Sequence, residues 1–237
     1  MNAAVQTPSN EDLSRRFSDA TKLAKLGELV RFRLAGIPEV QKVDVSGAEL
    51  FLVPGFMDPR DCREVVRVID RKAEPSTLYD GQGNEGFRTS FTHHFDPDDP
   101  LTEDIELYIS DLLGIDDDYS EIMQGQRYKP GQEFKAHHDF FHLGERYWRD
   151  EALRGGQRTW TAMVFLDEPR EGGCTQFPLL DVTIRLQCGM LAIWNNMDLD
   201  GRPNMKTLHA GMPVIKGVKH VITKWYRQEA WRQLNPL

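Results

Sequence analysis

The stretch EFKAHHDFFHLG, residues 133–144, gathers three histidines and an aspartate. Its centre, His137-His138-Asp139, is an H-x-D triplet. Alternate side chains of a β-strand share a face, so on a strand His137 and Asp139 address one metal ion while His138 points away. His138 and His142 are then left for packing or hydrogen bonding. A second triplet, His94-Phe95-Asp96 in TSFTHHFDPDD, runs straight into an acidic, proline-containing stretch ahead of an expected helix. There Asp96 is expected to organise the turn.

The later triplet has company. TLHAGMPVIKGVKHVITKW supplies His209 at the start of an expected strand, and Lys219 follows ten residues on. Two imidazoles and one carboxylate occupy three facial positions around iron and leave the others open. An open site suits Fe(II) that must accept both a cosubstrate and dioxygen, whereas a closed four-ligand set would suit structural zinc. In VKHVITKWYR, alternation puts Lys219, Val221, Thr223 and Trp225 on one face and His220, Ile222, Lys224 and Tyr226 on the other. A lysine facing inward among Val, Thr and Trp is costly unless an anion pairs with it, and a dicarboxylate cosubstrate would be that anion. The alternative places Lys219 at the surface and turns Lys224 inward.

The elements that must position these residues fall into two halves. Glu11–Leu34 is rich in Leu, Ala, Lys and Arg and reads as one or two amphipathic helices, broken by Gly36 and Pro38. ELFLVPGF (49–56) reads as a short strand, followed by a helix from an Asp58 N-cap to Lys72. Residues 73–87 are turn-rich and read as a loop, and LTEDIELYISDLLG (101–114) as a further helix. After Tyr119 come short β-rich runs: EIMQGQRY, RTWTAMVFL, VTIRL, MLAIW and HVITKWY. Separated by Gly, Pro and Asp clusters, they suggest an antiparallel sandwich or barrel in the C-terminal half, with helices packed around it.

The 237 residues fit one large domain, or one with an appendage, and 40% apolar residues suffice for a core. A net charge of −8 argues against a general nucleic-acid binder. No apolar run approaches the roughly 20 residues a membrane helix needs, and the polar N-terminus reads as neither a secretory signal nor a transit peptide. The three cysteines, Cys62, Cys174 and Cys188, show no C-x-x-C spacing. Neither a disulfide framework nor a thiolate zinc site is expected, and a reducing cytoplasm is the natural home.

Taken in order, YKPGQEFKAHHDFF, GGQRTWTAMVFLDEPREGGCTQFP and HAGMPVIKGVKHVITKWYR resemble the prolyl 4-hydroxylase branch of the Fe(II)/2-oxoglutarate-dependent dioxygenases. That resemblance implies a double-stranded β-helix core, a cupin-like jelly roll, within residues 47–237, preceded by a helical segment over 1–46. It implies iron ligation by His137, Asp139 and His209. It also implies an ion pair between Lys219 and the distal carboxylate of 2-oxoglutarate, with Tyr128 and Thr175 hydrogen-bonding the same group. Arg158 and Trp225 match positions that face the substrate in relatives; a structural salt bridge and core packing are their respective alternatives. GFRTSFTHHF resembles the strand after a flexible loop, which would make residues 75–87 a lid. The stretch 142–156 is longer than the shortest members of the family require.

The activity so implied is hydroxylation of a C–H bond with consumption of 2-oxoglutarate and O2 and release of succinate and CO2. The first substrate choice is a prolyl residue in a peptide or protein. Alternatives are a free amino acid or other small molecule, and a cupin-like sensor that holds a metal without turnover. Asp139 speaks against a halogenase, since halogenating relatives vacate the carboxylate position. Ascorbate enters as a candidate reductant for oxidised iron.

Overall fold

The computed structural model describes residues 9–77 and 86–236. Helices begin where side chains satisfy the free N–H groups of a first turn. Helix α1 (Asn10–Phe17) starts at a capping box between Ser9 and Asp12, and α2 (Ala20–Ala35) at Asp19, which accepts from Thr21 and Lys22 N–H. Both α3 (Pro59–Lys72) and α4 (Pro100–Leu113) pair an aspartate N-cap, Asp58 or Asp99, with proline in the first turn. Gly114, at φ 68°, closes α4 in the left-handed conformation that glycine adopts without a Cβ penalty. Two short helices follow, α5 (Trp148–Leu153) and α6 (Trp231–Leu234).

The strands form two principal antiparallel sheets. The larger runs β1 (Gln41–Lys42), β2 (Leu50–Val53), β11 (Met190–Asn195), β7 (Arg158–Phe165), β14 (Lys219–Arg227), β5 (Gln124–Tyr128), β4 (Phe91–His94) and β3 (Glu74–Pro75). The smaller runs β10 (Val182–Ile184), β9 (Thr175–Phe177), β12 (His209–Gly211) and β6 (Phe134–His137), and a two-stranded ribbon pairs β8 (Glu171–Gly172) with β13 (Val214–Lys216). Every pairing is antiparallel.

Pleat alternation divides the core into two. Trp160, Ala162 and Val164 of β7, with Ile193, Ile222 and Tyr226, pack against Val30 and Leu34 of α2, Val65 and Ile69 of α3 and Ile109 of α4. On the opposite face Phe165, Ala192, Trp194 and Val221 meet Phe177 and Ile184 of the smaller sheet. The layers are therefore helices, large sheet, small sheet. Central strands covered on both faces lose the polar alternation of a half-exposed strand, and all nine residues of β14 are buried.

One local expectation is corrected. The H-x-D segment is not all strand: β6 stops at His137, and Asp139 lies in the bend beyond it. The bend delivers Asp139 to the face that alternation assigned.

Candidate active site

Opposite ends of two neighbouring strands meet at one point. His137, last in β6, is the ladder partner of His209, first in β12. Their ring centroids lie 4.3 Å apart, and ligand atoms of His137, Asp139 and His209 all fall within 4.8 Å of one another. Each Nε2 stands 3.7 Å from an Asp139 oxygen, too long for a hydrogen bond and suited to an ion held between them.

The surroundings fix each donor. His137 Nδ1 donates to Lys135 O at 2.8 Å and His209 Nδ1 to Thr207 O at 2.9 Å, which leaves both Nε2 lone pairs for a metal. Phe134 stacks on His137 at 3.6 Å, while Phe177 and Trp194 enclose His209. Thr161 of β7 donates to Asp139 Oδ2 at 2.8 Å and accepts from Asn196 Nδ2 at 2.9 Å. Burial and the neighbouring His209 push His137 down to about 3, so its imidazole is neutral. Burial alone would raise Asp139, but His209, Arg158 and the Thr161 hydroxyl hold its carboxyl below the usual range. Two imidazoles and one carboxylate are the donor set Fe(II) takes.

A narrow recess leads from this cluster to Lys219 and is lined by Tyr128, Thr175, Gly211, Val221 and Thr223 among others. Lys219 is 2% exposed; its Nζ reaches Thr175 Oγ1 at 3.4 Å and stands 5.3 Å from the Tyr128 ring. It forms no ion pair among the described residues. Burial drives its ammonium down to about 8, and nearby Cys174 and Asp167 oppose the shift without reversing it. Burial likewise raises the Tyr128 hydroxyl. A buried cation without a carboxylate is expensive, and an entering dicarboxylate would relieve it. The residues present therefore fit 2-oxoglutarate as well as they fit iron.

On its other side the cluster opens into a cavity of about 760 Å³, walled by Arg88, His94, Phe134, Phe141, Tyr147, Arg158 and Trp225 among others. Arg158 makes a two-pronged ion pair with Glu121, Nε to Oε1 at 2.6 Å and Nη2 to Oε2 at 2.7 Å, and its guanidinium lies 4.3 Å from the Trp225 ring. Trp225 lines both cavity and recess, and its buried Nε1 has no partner among the described residues.

The remaining sequence candidates separate cleanly. His94 lines the cavity but Asp96 turns away, its Oδ1 accepting from Asp98 N–H at 3.1 Å in a turn. His138 Nε2 meets Met205 O at 3.0 Å and its ring packs on Phe140 and His142. Lys224 is also buried, on the helix-facing side, where it pairs with Glu106 and Asp117 at 2.6 Å each. Most of the 75–87 segment, residues 78–85, lies outside the described residues; Pro75, Ser76, Thr77, Phe87 and Arg88 flank the cavity. Sequence reasoning missed Glu121, Thr161 and Asn196, none of which belongs to a motif with a spacing of its own.

Residues 123–227, which contain the cluster and most of the recess and cavity walls, match the profile of the 2OG-Fe(II) oxygenase superfamily. Prolyl 4-hydroxylase 1 of Arabidopsis thaliana is 28% identical over 201 residues, covering 76% of this chain and 69% of that relative. The chain is thus similar to the prolyl 4-hydroxylases, and its residues 123–227 to the 2OG-Fe(II) oxygenases. Among solved structures, a 2OG complex of the viral collagen prolyl hydroxylase from Paramecium Bursaria Chlorella virus-1 superposes with a TM-score of 0.60 at 26% identity, covering 75% of this chain and 95% of that one. A Pseudomonas putida prolyl-4-hydroxylase at 18% identity and a TM-score of 0.57 shares the fold. The layered sheets of this oxygenase are accordingly the double-stranded β-helix, and as a 2-oxoglutarate-dependent dioxygenase it works with iron and 2-oxoglutarate.

Proposed function

We propose that this oxygenase hydroxylates a prolyl residue presented in a peptide or protein, consuming 2-oxoglutarate and O2 and releasing succinate and CO2. The observation that carries the reading is the position of the His137/Asp139/His209 cluster between two spaces of opposite kind. One is a narrow recess ending at Lys219, which has no ion pair among the described residues, and the other is a cavity of about 760 Å³. The recess ends at a cation that a dianion would pair, and the cavity has room for a residue carried on a chain segment.

In this reading His137 Nε2, an Asp139 oxygen and His209 Nε2 hold Fe(II). Lys219 grips the far carboxylate of 2-oxoglutarate, with Thr175 and Tyr128 as hydrogen-bonding neighbours. Bound together, the metal and the keto acid supply the oxidant that hydroxylates a C–H bond. The chain's own work is orientation and exclusion of water. Arg158, gripped by Glu121, and Trp225, whose indole N–H has no partner among the described residues, stand where they can hold the substrate backbone against the cluster. Residues 47–237 form the oxygenase unit in this reading, and ascorbate is its proposed reductant. Three free thiols favour the cytoplasm as its compartment.

The test is a screen of proline-containing peptides with Fe(II) and 2-oxoglutarate, followed by succinate release and by mass spectrometry of the peptide. The expected result is one added oxygen on a prolyl residue in proportion to succinate. Stimulation by free amino acids with none by peptides would favour the small-molecule reading instead.

A further inference from the structure

Behind the cavity wall, outside every residue assigned above to metal or cosubstrate, four buried charges form a chain. Glu121 Oε1 accepts from Arg158 Nε at 2.6 Å and from Arg227 Nη1 at 2.9 Å, so one oxygen serves two guanidinium groups. Arg227 Nη1 also donates to Glu151 Oε2 at 2.9 Å, Nη2 to Glu151 O at 2.8 Å, and Nε to Gly156 O at 2.9 Å. The side chains are at most 8% exposed, and two positive charges balance two negative ones. Of the four, Arg158 alone lines the cavity. Phe141, another wall residue, has Arg158 4.9 Å and Arg227 4.6 Å from its ring centroid.

We infer that Glu151 and Arg227 are positioning residues that aim Arg158 into the substrate cavity through the carboxylate they share at Glu121. The inference rests on the reading of that cavity as the substrate site. Glu121 lies between two competitors, and Glu151 decides how much of it Arg158 keeps. With Glu151 ionised, Arg227 has a second carboxylate, which the exposed Arg154 also approaches at 3.7 Å, and Glu121 closes a two-pronged grip on Arg158. With that charge removed, Arg227 must draw its whole compensation from Glu121, because an unpaired buried guanidinium is costly. Arg158 then loses the grip that sets its plane beside Trp225.

The chain extends to the surface through helices with no other assigned part. Glu151 sits on α5, inside the long 142–156 stretch. Helix α5 is clamped by α1: Trp148 Nε1 donates to Ser14 Oγ at 3.0 Å, and Leu13 packs with Trp148, Ala152 and Phe141. The N-terminal helix and that stretch thereby become part of the apparatus that shapes the substrate wall.

The experiment uses the full chain and the best prolyl peptide from the screen, comparing Glu151→Gln, Glu151→Asp, Arg227→Lys and Arg158→Gln. Glu151→Gln is expected to raise the peptide KM about three- to tenfold, the range of coupling through a shared ion pair. The 2-oxoglutarate KM and peptide-independent succinate release stay unchanged, and Glu151→Asp recovers most of the loss. Arg227→Lys keeps the charge but loses the fork, and gives the same split should Glu151→Gln fold poorly. Adding Glu151→Gln to Arg158→Gln produces no further rise. An unchanged peptide KM in folded Glu151→Gln or Arg227→Lys, or an equal rise in both KM values, overturns the inference. If Arg158→Gln itself leaves the peptide KM unchanged, the substrate-cavity reading falls first and takes the inference with it.

Discussion

His137 and His209 face each other across an antiparallel ladder, the last residue of one short strand against the first of another, with ring centroids 4.3 Å apart. The register of that pairing, rather than the H-x-D spacing alone, brings two imidazoles from residues far apart in sequence to one carboxylate. A one-residue slip would turn one ring to the other face of the sheet.

Either His137→Ala or His209→Ala should therefore abolish turnover and Fe(II) binding measured anaerobically by equilibrium dialysis. His94→Ala should leave the metal stoichiometry at the wild-type value, because its Asp96 neighbour is committed to a turn. Loss of metal in His94→Ala would point to the other triplet.

Lys219→Ala should raise the 2-oxoglutarate KM about 100-fold or more, from the roughly 3–5 kcal/mol cost of unpairing a buried charge. Lys219→Met should also melt at a higher temperature than wild type in the absence of cosubstrate, because it removes a buried cation that lacks an ion pair. Cosubstrate should raise the melting temperature of wild type and leave that of Lys219→Met unmoved. A lower apo melting temperature would contradict the reading of Lys219 as a buried cation without a carboxylate among the described residues.

The affinity for 2-oxoglutarate should depend on pH through the same group. Burial sets Lys219 at about 8 rather than 10.5. The unfolded chain thus holds this proton more tightly, so the lysine costs stability below about pH 8 and the cost fades as pH rises toward the unfolded value. The sign for binding is opposite: the dianion needs the ammonium, so the dissociation constant should climb above about pH 8, approaching about tenfold per pH unit. A flat profile between pH 7 and pH 9.5, by calorimetry with Fe(II) present, would remove the ammonium from that role.

On the far side of the same strand, Lys224 holds Glu106 and Asp117, and Arg232 of α6 pairs with both carboxylates. Lys224→Ala should cost about 3–5 kcal/mol, or about 2–4 °C of melting temperature per kcal/mol, with metal stoichiometry intact. Burial alone would raise Asp117, but Lys224 and Ser110 hold it below its ordinary value. That contribution is present above the ordinary carboxylate range and disappears as pH falls through the folded value, so the variant should show a shallower acid limb. Equal acid limbs in the two proteins would place the wild-type sensitivity elsewhere.

How much of this was legible in the sequence follows from which physical signals are local. The cap at Asp58, the break at Gly36 and the strand runs are short-range, and the elements formed close to where those signals stand. The His137, Asp139, His209 and Lys219 set was legible because its residue types are rare together and its order matched a known pattern. Lys224 was not, because β14 is buried on both faces and alternation assigns a lysine to a face without saying what covers it. Nor was the Glu121–Arg158–Arg227–Glu151 chain. It joins residues up to 106 positions apart, and a charged side chain in a sequence looks alike whether solvated or paired. The strand end at His137 escaped for a different reason, since a bend two residues later preserves the side-chain direction that a strand would have given.

Anomalous diffraction at the iron edge, on crystals loaded anaerobically with Fe(II) and 2-oxoglutarate, tests the centre of this account most directly. One iron is predicted within bonding distance of His137 Nε2, Asp139 and His209 Nε2, with the distal carboxylate of the keto acid on Lys219. An iron peak away from His209, or a cosubstrate whose distal carboxylate lies on another cation, would contradict it.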